Sequence, residues 1–302
     1  MKKGSAERLV GINPDTKEEG DEMDILITGG EGQLGRELQK FLSSKHPIKS
    51  LGKRELDVTN KEEAEFIIKQ LKPDIIIHAA AYTAVDKCES ERKKAFEVNS
   101  LGAGYIASAG KKVNAKIIYI STDYVFDGKK QSSYTEDDIP NPLSVYGMSK
   151  WLGERMVLTN SDASVIRTSW LYGHEGKNFV KTMLALGKEN REIRVVDDQI
   201  GSPTYVNDLA EVIEQIMDKK NGIYHFSNTG SCSWFSFAKR IFEEAGYDPN
   251  KVLPITSAEY GVPAQRPAYS VLEHQAIINQ GIKTPRHWEY AMKEFIRKEL
   301  RK

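Results

Sequence analysis

The chain of 302 residues is short of several things, and each shortage excludes a class of protein. It has two cysteines, Cys88 and Cys232, too few for the disulfide framework of a small secreted domain and without metal-ligand spacing. Its six histidines are scattered, so no zinc site is expected. Neither sign of charge is in excess: 43 lysines and arginines balance 43 aspartates and glutamates. That balance removes the electrostatic reason to expect nucleic acid or a membrane surface as partner. Long hydrophobic runs are missing too. "IIIHAAAY" is among the longest, and it is far too short to cross a bilayer. Internal repeats and low-complexity tracts are absent. These shortages predict a cytoplasmic globular protein whose length allows one large or two modest domains.

Residues 1–22 are polar, charged and aperiodic, and no apolar stretch follows the two lysines, so they read as a flexible extension rather than a signal peptide. From Met23 the pattern changes. Short apolar strands ("DILIT", "IKSLG", "DIIIHAA", "KIIYIST", "ASVIRTSW") alternate with helical segments such as "KEEAEFIIKQL" and the long stretch "RKKAFEVNSLGAGYIASAGKK". Continuous isoleucine runs between helices predict a parallel sheet covered on both faces. The expected fold class is α/β, a doubly wound parallel-sheet Rossmann domain with a smaller, mixed α/β C-terminal domain. The dinucleotide-binding part is expected over 23–172, with 195–227 returning to it. Residues 173–194 and 228–302, rich in proline and tyrosine loops, are expected to close over a substrate. Helices are expected in "YVNDLAEVIEQIMDK" and "SWFSFAKRIFEEAG", the latter with Ser233 as N-cap and Gly246 as stop.

Two groups of residues carry chemistry. The first is "ITGGEGQLGRELQKFL", where Gly29, Gly32 and Gly35 mark the turn from a strand into a helix. Glycine lets backbone approach a ligand closely, and the helix start offers free N–H groups to a pyrophosphate. The second begins with Thr122 and Asp123 at the carboxyl end of "KIIYIST". It continues in "YGMSK", where Tyr146 and Lys150 share one helix face. A phenol is a weak acid with a pKa of about 10, and a neighbouring ammonium lowers it toward the working range of a proton carrier. With the Thr122 hydroxyl holding a carbonyl oxygen, the group suits reduction of a ketone by a nicotinamide. A second Tyr-x-x-x-Lys, Tyr247 to Lys251, contains Pro249 in a turn-forming "DPN" and is discounted.

The glycine turn, "HAAAYT", Asn99, "STD" and "YGMSK" together resemble the extended short-chain dehydrogenase/reductases. The longer strings "AAAYTAVDKCE", "STDYVFDG", "SVYGMSKWLGE", "RTSWLYG", "NFVKTML" and "DDQIGSPT" resemble the dTDP-4-dehydrorhamnose reductase family, from Met23 nearly to the end. The resemblance implies reduction of the 4-keto group of dTDP-4-dehydrorhamnose to dTDP-L-rhamnose. It implies Tyr146 as proton donor, Lys150 as the ribose-binding lysine, Thr122 (with Asp123 beside it) at the keto oxygen, and Asn99 as support of the proton relay. It also implies Gly32, Gln33 and Leu34 over the pyrophosphate, Asp57 and Val58 on the adenine side, and Ala81, Tyr82 and Thr83 by the nicotinamide ribose. Trp170 falls on the family's sugar-stacking tryptophan. The expected partner is a dTDP-sugar, and the chain is expected to be a monomer or homodimer.

Two departures bear on function. NAD-preferring folds place an acid at the end of the second strand, whereas this chain has Gly52 followed by Lys53 and Arg54. The expectation is NADPH preferred and NADH usable. After Arg266-Pro267 the chain reads "SVLEHQA", where relatives often continue with another arginine. A dehydratase of the superfamily would carry an acid after Asp123, but Tyr124 stands there. The remaining alternatives are another nucleotide-sugar reductase or epimerase, and a non-catalytic NADP-binding subunit resembling the regulatory β-subunit of methionine adenosyltransferase.

Overall fold

The computed structural model describes residues 22–301. The flexible extension expected over 1–22 therefore lies, but for Glu22, outside the described residues. The centre is a six-stranded sheet of β1 (Ile25–Thr28), β2 (Ile48–Leu51), β3 (Ile75–His78), β4 (Lys116–Thr122), β5 (Ala163–Thr168) and a last strand, Gly222–His225. Its order is last strand, β5, β4, β3, β1, β2, and every pairing is parallel. β1 and β3 are buried at every position, so their sequences show no alternation.

Helices cover both faces. On one face Leu34, Leu38 and Leu42 of helix Gln33–Leu42 pack with Val206, Leu209, Ile213 and Ile216 of helix Val206–Met217. On the other, Ala64 and Ile68 of helix Lys61–Leu71 meet Ile106 and Ala107 of helix Ala103–Lys111. Each fully buried Leu or Ile contributes about 1.5–3 kcal/mol relative to exposure. The helix starts follow the side chains the sequence offers. Asn60 accepts from Glu63 N, Ser144 from Gly147 N and Ser233 from Ser236 N, while Gly246 closes its helix with φ +76°.

Two details depart from the sequence expectation. The long helix expected around Asn99 is broken. Arg92–Phe96 and Ala103–Lys111 are α-helical, with a π-turn over Glu97–Gly102 between them. A π-turn widens a helix locally and recurs at functional positions. The return to the sheet, expected at 195–227, begins only at Val206. Ile193–Val196 pairs instead with Val252–Ile255, and Ile200–Gly201 pairs with Cys232–Ser233. Val195 is drawn into a second core with Val180, Phe237, Phe242, Met292 and Phe295, on the helices Phe179–Lys188, Trp234–Glu244 and Trp288–Glu299.

Because β2 lies on one side of β1 and β3 on the other, the chain direction switches between β1 and β3. The carboxyl ends of these two strands therefore open a crevice, where ligands of such sheets bind. The second core lies beyond the end of β5, reached through Trp170 and the short pair Leu171–Tyr172 with Thr204–Tyr205.

Candidate active site

The glycine turn closes tightly on the end of β3. Gly29 has φ +71°, and a Cβ there would stand 2.6 Å from Ala80 N. A Cβ on Gly35 would stand 2.4 Å from Gly29 O, so the helix start packs directly on the turn. Gly32 is the N-cap of helix Gln33–Leu42, with no side-chain cap and no acid in the first turn. The first-turn amides are thus left to an anion, and this geometry fits the pyrophosphate of a nicotinamide dinucleotide.

Two clefts meet at this turn. One, of about 360 Å³, runs over the ends of β1 and β2 and is lined by Gly52, Lys53, Asp57, Val58, Ala81 and Tyr82. The other, of about 580 Å³, runs toward the second core. It is lined by Gln33, Leu34, Gly35 and Thr83, by Thr122, Asp123, Tyr146 and Lys150, and by Trp170. Gly29, Glu31, Gly32 and Ala81 line both. Residues expected on opposite ends of a cofactor are therefore brought onto one continuous crevice. Two are not: Arg54 is exposed, and neither Arg54 nor Asn99 lines either cleft.

β4 delivers Thr122, the turn Asp123–Val125 that follows it delivers Asp123, and the helix Val145–Asn160 delivers Tyr146 and Lys150 beside them. The Tyr146 phenol and the Thr122 hydroxyl both line the larger cleft, and the hydroxyl acts to lower the phenol's pKa. That hydroxyl donates to Asp123 Oδ1 at 3.1 Å, and Ser270 Oγ donates to Asp123 Oδ2 at 2.6 Å. Burial pushes the Asp123 carboxyl up to about 7, against these hydrogen bonds. Lys150 Nζ donates to Ile120 O at 2.6 Å and sits 4.0 Å from the centre of the Tyr119 ring. Burial pulls Lys150 down to about 7, while Glu154 acts the other way.

This corrects one expectation. Tyr146 was expected to have its acidity enhanced by the lysine. Burial instead pushes the phenol well above its ordinary range, outweighing the opposite effect of the Thr122 hydroxyl. Desolvation of this half-buried ring is the largest cause, and the charge of Asp123 beside it acts in the same direction. A phenol held protonated at neutral pH is still what a reductase needs, since its task is to give a proton to the oxygen being reduced.

Asn99 works at one remove. Its Oδ1 accepts from Tyr82 N at 2.7 Å, and its Nδ2 donates to Tyr82 O at 3.1 Å and to Ser149 Oγ at 3.0 Å. It fastens the loop after β3 to the helix that carries Tyr146 and Lys150. Its carbonyl, within the π-turn, accepts from Tyr119 OH at 3.0 Å, and Lys150 Nζ lies 4.0 Å from the centre of the Tyr119 ring. Asp57 is held below the usual carboxylate range, first by the Thr59 hydroxyl at 2.7 Å.

Several features of the site escaped the sequence reading, although Trp170 itself was expected there. Trp170 takes φ +48°, rare for a non-glycine residue, and its ring stacks on Trp234 with centroids 3.5 Å apart. Trp234 and Lys177 line the larger cleft, yet nothing local in the sequence marks either. Arg266 forms a two-pronged pair with Asp86 at 2.8 and 3.1 Å, which ties the C-terminal segment to the short helix Val85–Ser90 that follows β3.

A doubly wound parallel sheet with Thr122, Tyr146 and Lys150 gathered at its carboxyl edge defines an extended short-chain dehydrogenase/reductase. The RmlD substrate binding domain matches residues 23–301, and the chain belongs to that family. It is 46% identical over 286 residues to the dTDP-4-dehydrorhamnose reductase of Aggregatibacter actinomycetemcomitans, covering 89% of this chain and 97% of the relative. Identity is also 46%, over 274 residues, to the spore coat polysaccharide biosynthesis protein SpsK of Bacillus subtilis (strain 168), covering 90% and 96%. The crystal structure of dTDP-4-dehydrorhamnose reductase from Bacillus anthracis str. Ames, in complex with NADP, matches with a TM-score of 0.90 at 45% identity. It covers 92% of this chain and 100% of that one. Among the described residues, no helix is long and apolar enough to cross a membrane.

Proposed function

We propose that this protein reduces the 4-keto group of dTDP-4-dehydrorhamnose to dTDP-L-rhamnose, using NADPH. The observation that carries the reading is the continuous crevice from the uncapped helix start at Gly32 to the group of Thr122, Tyr146 and Lys150. The names of the relatives, and the NADP held by the Bacillus anthracis enzyme, support it.

When bound, the nicotinamide supplies a hydride. The chain's residues do the rest. The amides after Gly32, with Gln33 and Leu34, hold the pyrophosphate. Lys150 reaches a ribose hydroxyl, and its charge becomes easier to bear beside a bound anionic ligand. Thr122 and Tyr146 together hold the keto oxygen, and the Tyr146 O–H passes its proton there as the hydride reaches the carbon. Asn99 acts as a positioning residue through Tyr82 and Ser149. Trp170 and Trp234, stacked on each other, line the larger cleft where the sugar lies. The second core, around Phe237 and Phe295, forms the substrate-binding part. The two cysteines are free and buried, in accord with a cytoplasmic setting, and the working form is a monomer or homodimer.

The test is incubation with dTDP-4-dehydrorhamnose and NADPH, following loss of reduced-nicotinamide absorbance and mass spectrometry of the sugar. Turnover to a product gaining two hydrogens is expected. Binding of NADPH without turnover would replace this reading with that of a non-catalytic binding subunit.

A further inference from the structure

The end of β2 is where dinucleotide folds tell the two nicotinamide cofactors apart, because the adenosine ribose lies there. Gly52 offers no carboxylate at that point, but the fold returns one from the glycine turn. Glu31 lies so close to Gly52 that a Cβ on the glycine would stand 2.5 Å from Glu31 Cδ and 2.8 Å from Oε2. The bareness of Gly52 is what admits the glutamate. The backbone on either side of this contact is held: Gly30 N donates to Leu51 O at 2.9 Å, and Arg36 Nε donates to Glu31 O at 3.0 Å. The nearby Glu55 is already engaged, accepting from Gly52 N at 3.0 Å. The Glu31 carboxylate accepts no hydrogen bond from any described residue, and Glu31 lines both clefts. Of the two cations after Gly52, Lys53 lines the same cleft and Arg54 does not.

We propose that Glu31 sets the choice of cofactor. Its carboxylate, seated over Gly52, accepts a hydrogen bond from a ribose 2′-hydroxyl and repels a 2′-phosphate. It thereby offsets the attraction of Lys53 and lets the protein take both NADH and NADPH. The acid that other folds place on the second strand is supplied here from the loop after the first. The proposal rests on the reading of the crevice as a nicotinamide dinucleotide site.

The test is equilibrium binding of NADP⁺ and of NAD⁺, each without sugar substrate, to the wild type and to Glu31→Gln. The substitution keeps the shape of an exposed side chain, so folding is not at issue. NADP⁺ affinity should rise and NAD⁺ affinity fall. The ratio of the two should move about tenfold toward NADP⁺, which is about 1.4 kcal/mol. Glu31→Asp, whose carboxylate is withdrawn by one methylene, should fall between. A ratio unmoved by Glu31→Gln, with both cofactors still bound, would overturn the proposal alone. Failure of the wild type to bind either cofactor would overturn the dinucleotide reading and the proposal with it.

Discussion

Four residues after Lys150 on the same helix, Glu154 carries a prediction that links stability to chemistry. Glu154 is 1% exposed and its partner Arg167 is 2% exposed. Arg167 Nε reaches Glu154 Oε1 at 2.9 Å, Arg167 Nη2 reaches Oε2 at 2.8 Å, and Ser121 Oγ donates to Oε1. The pair thus sits beneath the end of β4, directly behind Thr122. In Glu154→Gln the guanidinium is left buried without its counter-charge, which costs about 3–5 kcal/mol. Glu154 is also the charge that raises Lys150 against desolvation. Without it the Lys150 midpoint should drop below about 7, and less of the lysine should be charged at neutral pH.

The sign follows from proton counts. Lys150 is depressed in the fold, so between about pH 7 and the ordinary lysine pKa of about 10.4 the unfolded chain binds more protons than the native one. Its contribution to stability therefore rises with pH across that window. In the variant the window should extend further toward acid. Urea unfolding at several pH values measures both effects, and the pH profile of turnover should shift toward acid in parallel. The double variant Glu154→Met, Arg167→Met removes both charges, so it should recover most of the stability while keeping the shifted profile. A single variant losing less than about 1 kcal/mol, with an unmoved pH profile, would refute the reasoning.

Three further outcomes are expected. Tyr146→Phe should keep the fold and cofactor affinity but lose about two to four powers of ten in turnover, the range for a general acid, as measured by NADPH oxidation. Trp234→Leu removes the ring on which Trp170 stacks at 3.5 Å, so KM for the sugar should rise severalfold while cofactor Kd stays constant. Lys53→Ala should weaken NADP⁺ binding with little change for NAD⁺, whereas Arg54→Ala should change neither, since only Lys53 lines the cleft. Equal losses in the two variants would show that both cations act only through general attraction.

Local pattern in the sequence determined five of the six strands of the central sheet and most of the helices, but not its last strand, Gly222–His225. Runs such as Ile75–His78 cannot alternate when both faces are covered, and the apolar spacing of Leu34, Leu38 and Leu42 needs no distant information. The same locality made the glycine turn, the Thr122–Asp123 strand end and the Tyr146–Lys150 helix face legible, because each is a short motif whose geometry follows from its own element. Tertiary structure decided the rest. Whether Tyr146 is acidified or held protonated depends on how dry its surroundings are, and that is a property of everything packed around it. The π-turn at Glu97–Gly102 exists where Asn99 is drawn to Tyr82 and Ser149, partners from two other elements. The Trp170–Trp234 stack and the seat of Glu31 over Gly52 join residues far apart in the chain. A sequence records which side chains are available, but only packing decides which of them meet across elements, how much water is left between them, and so what charge each can carry.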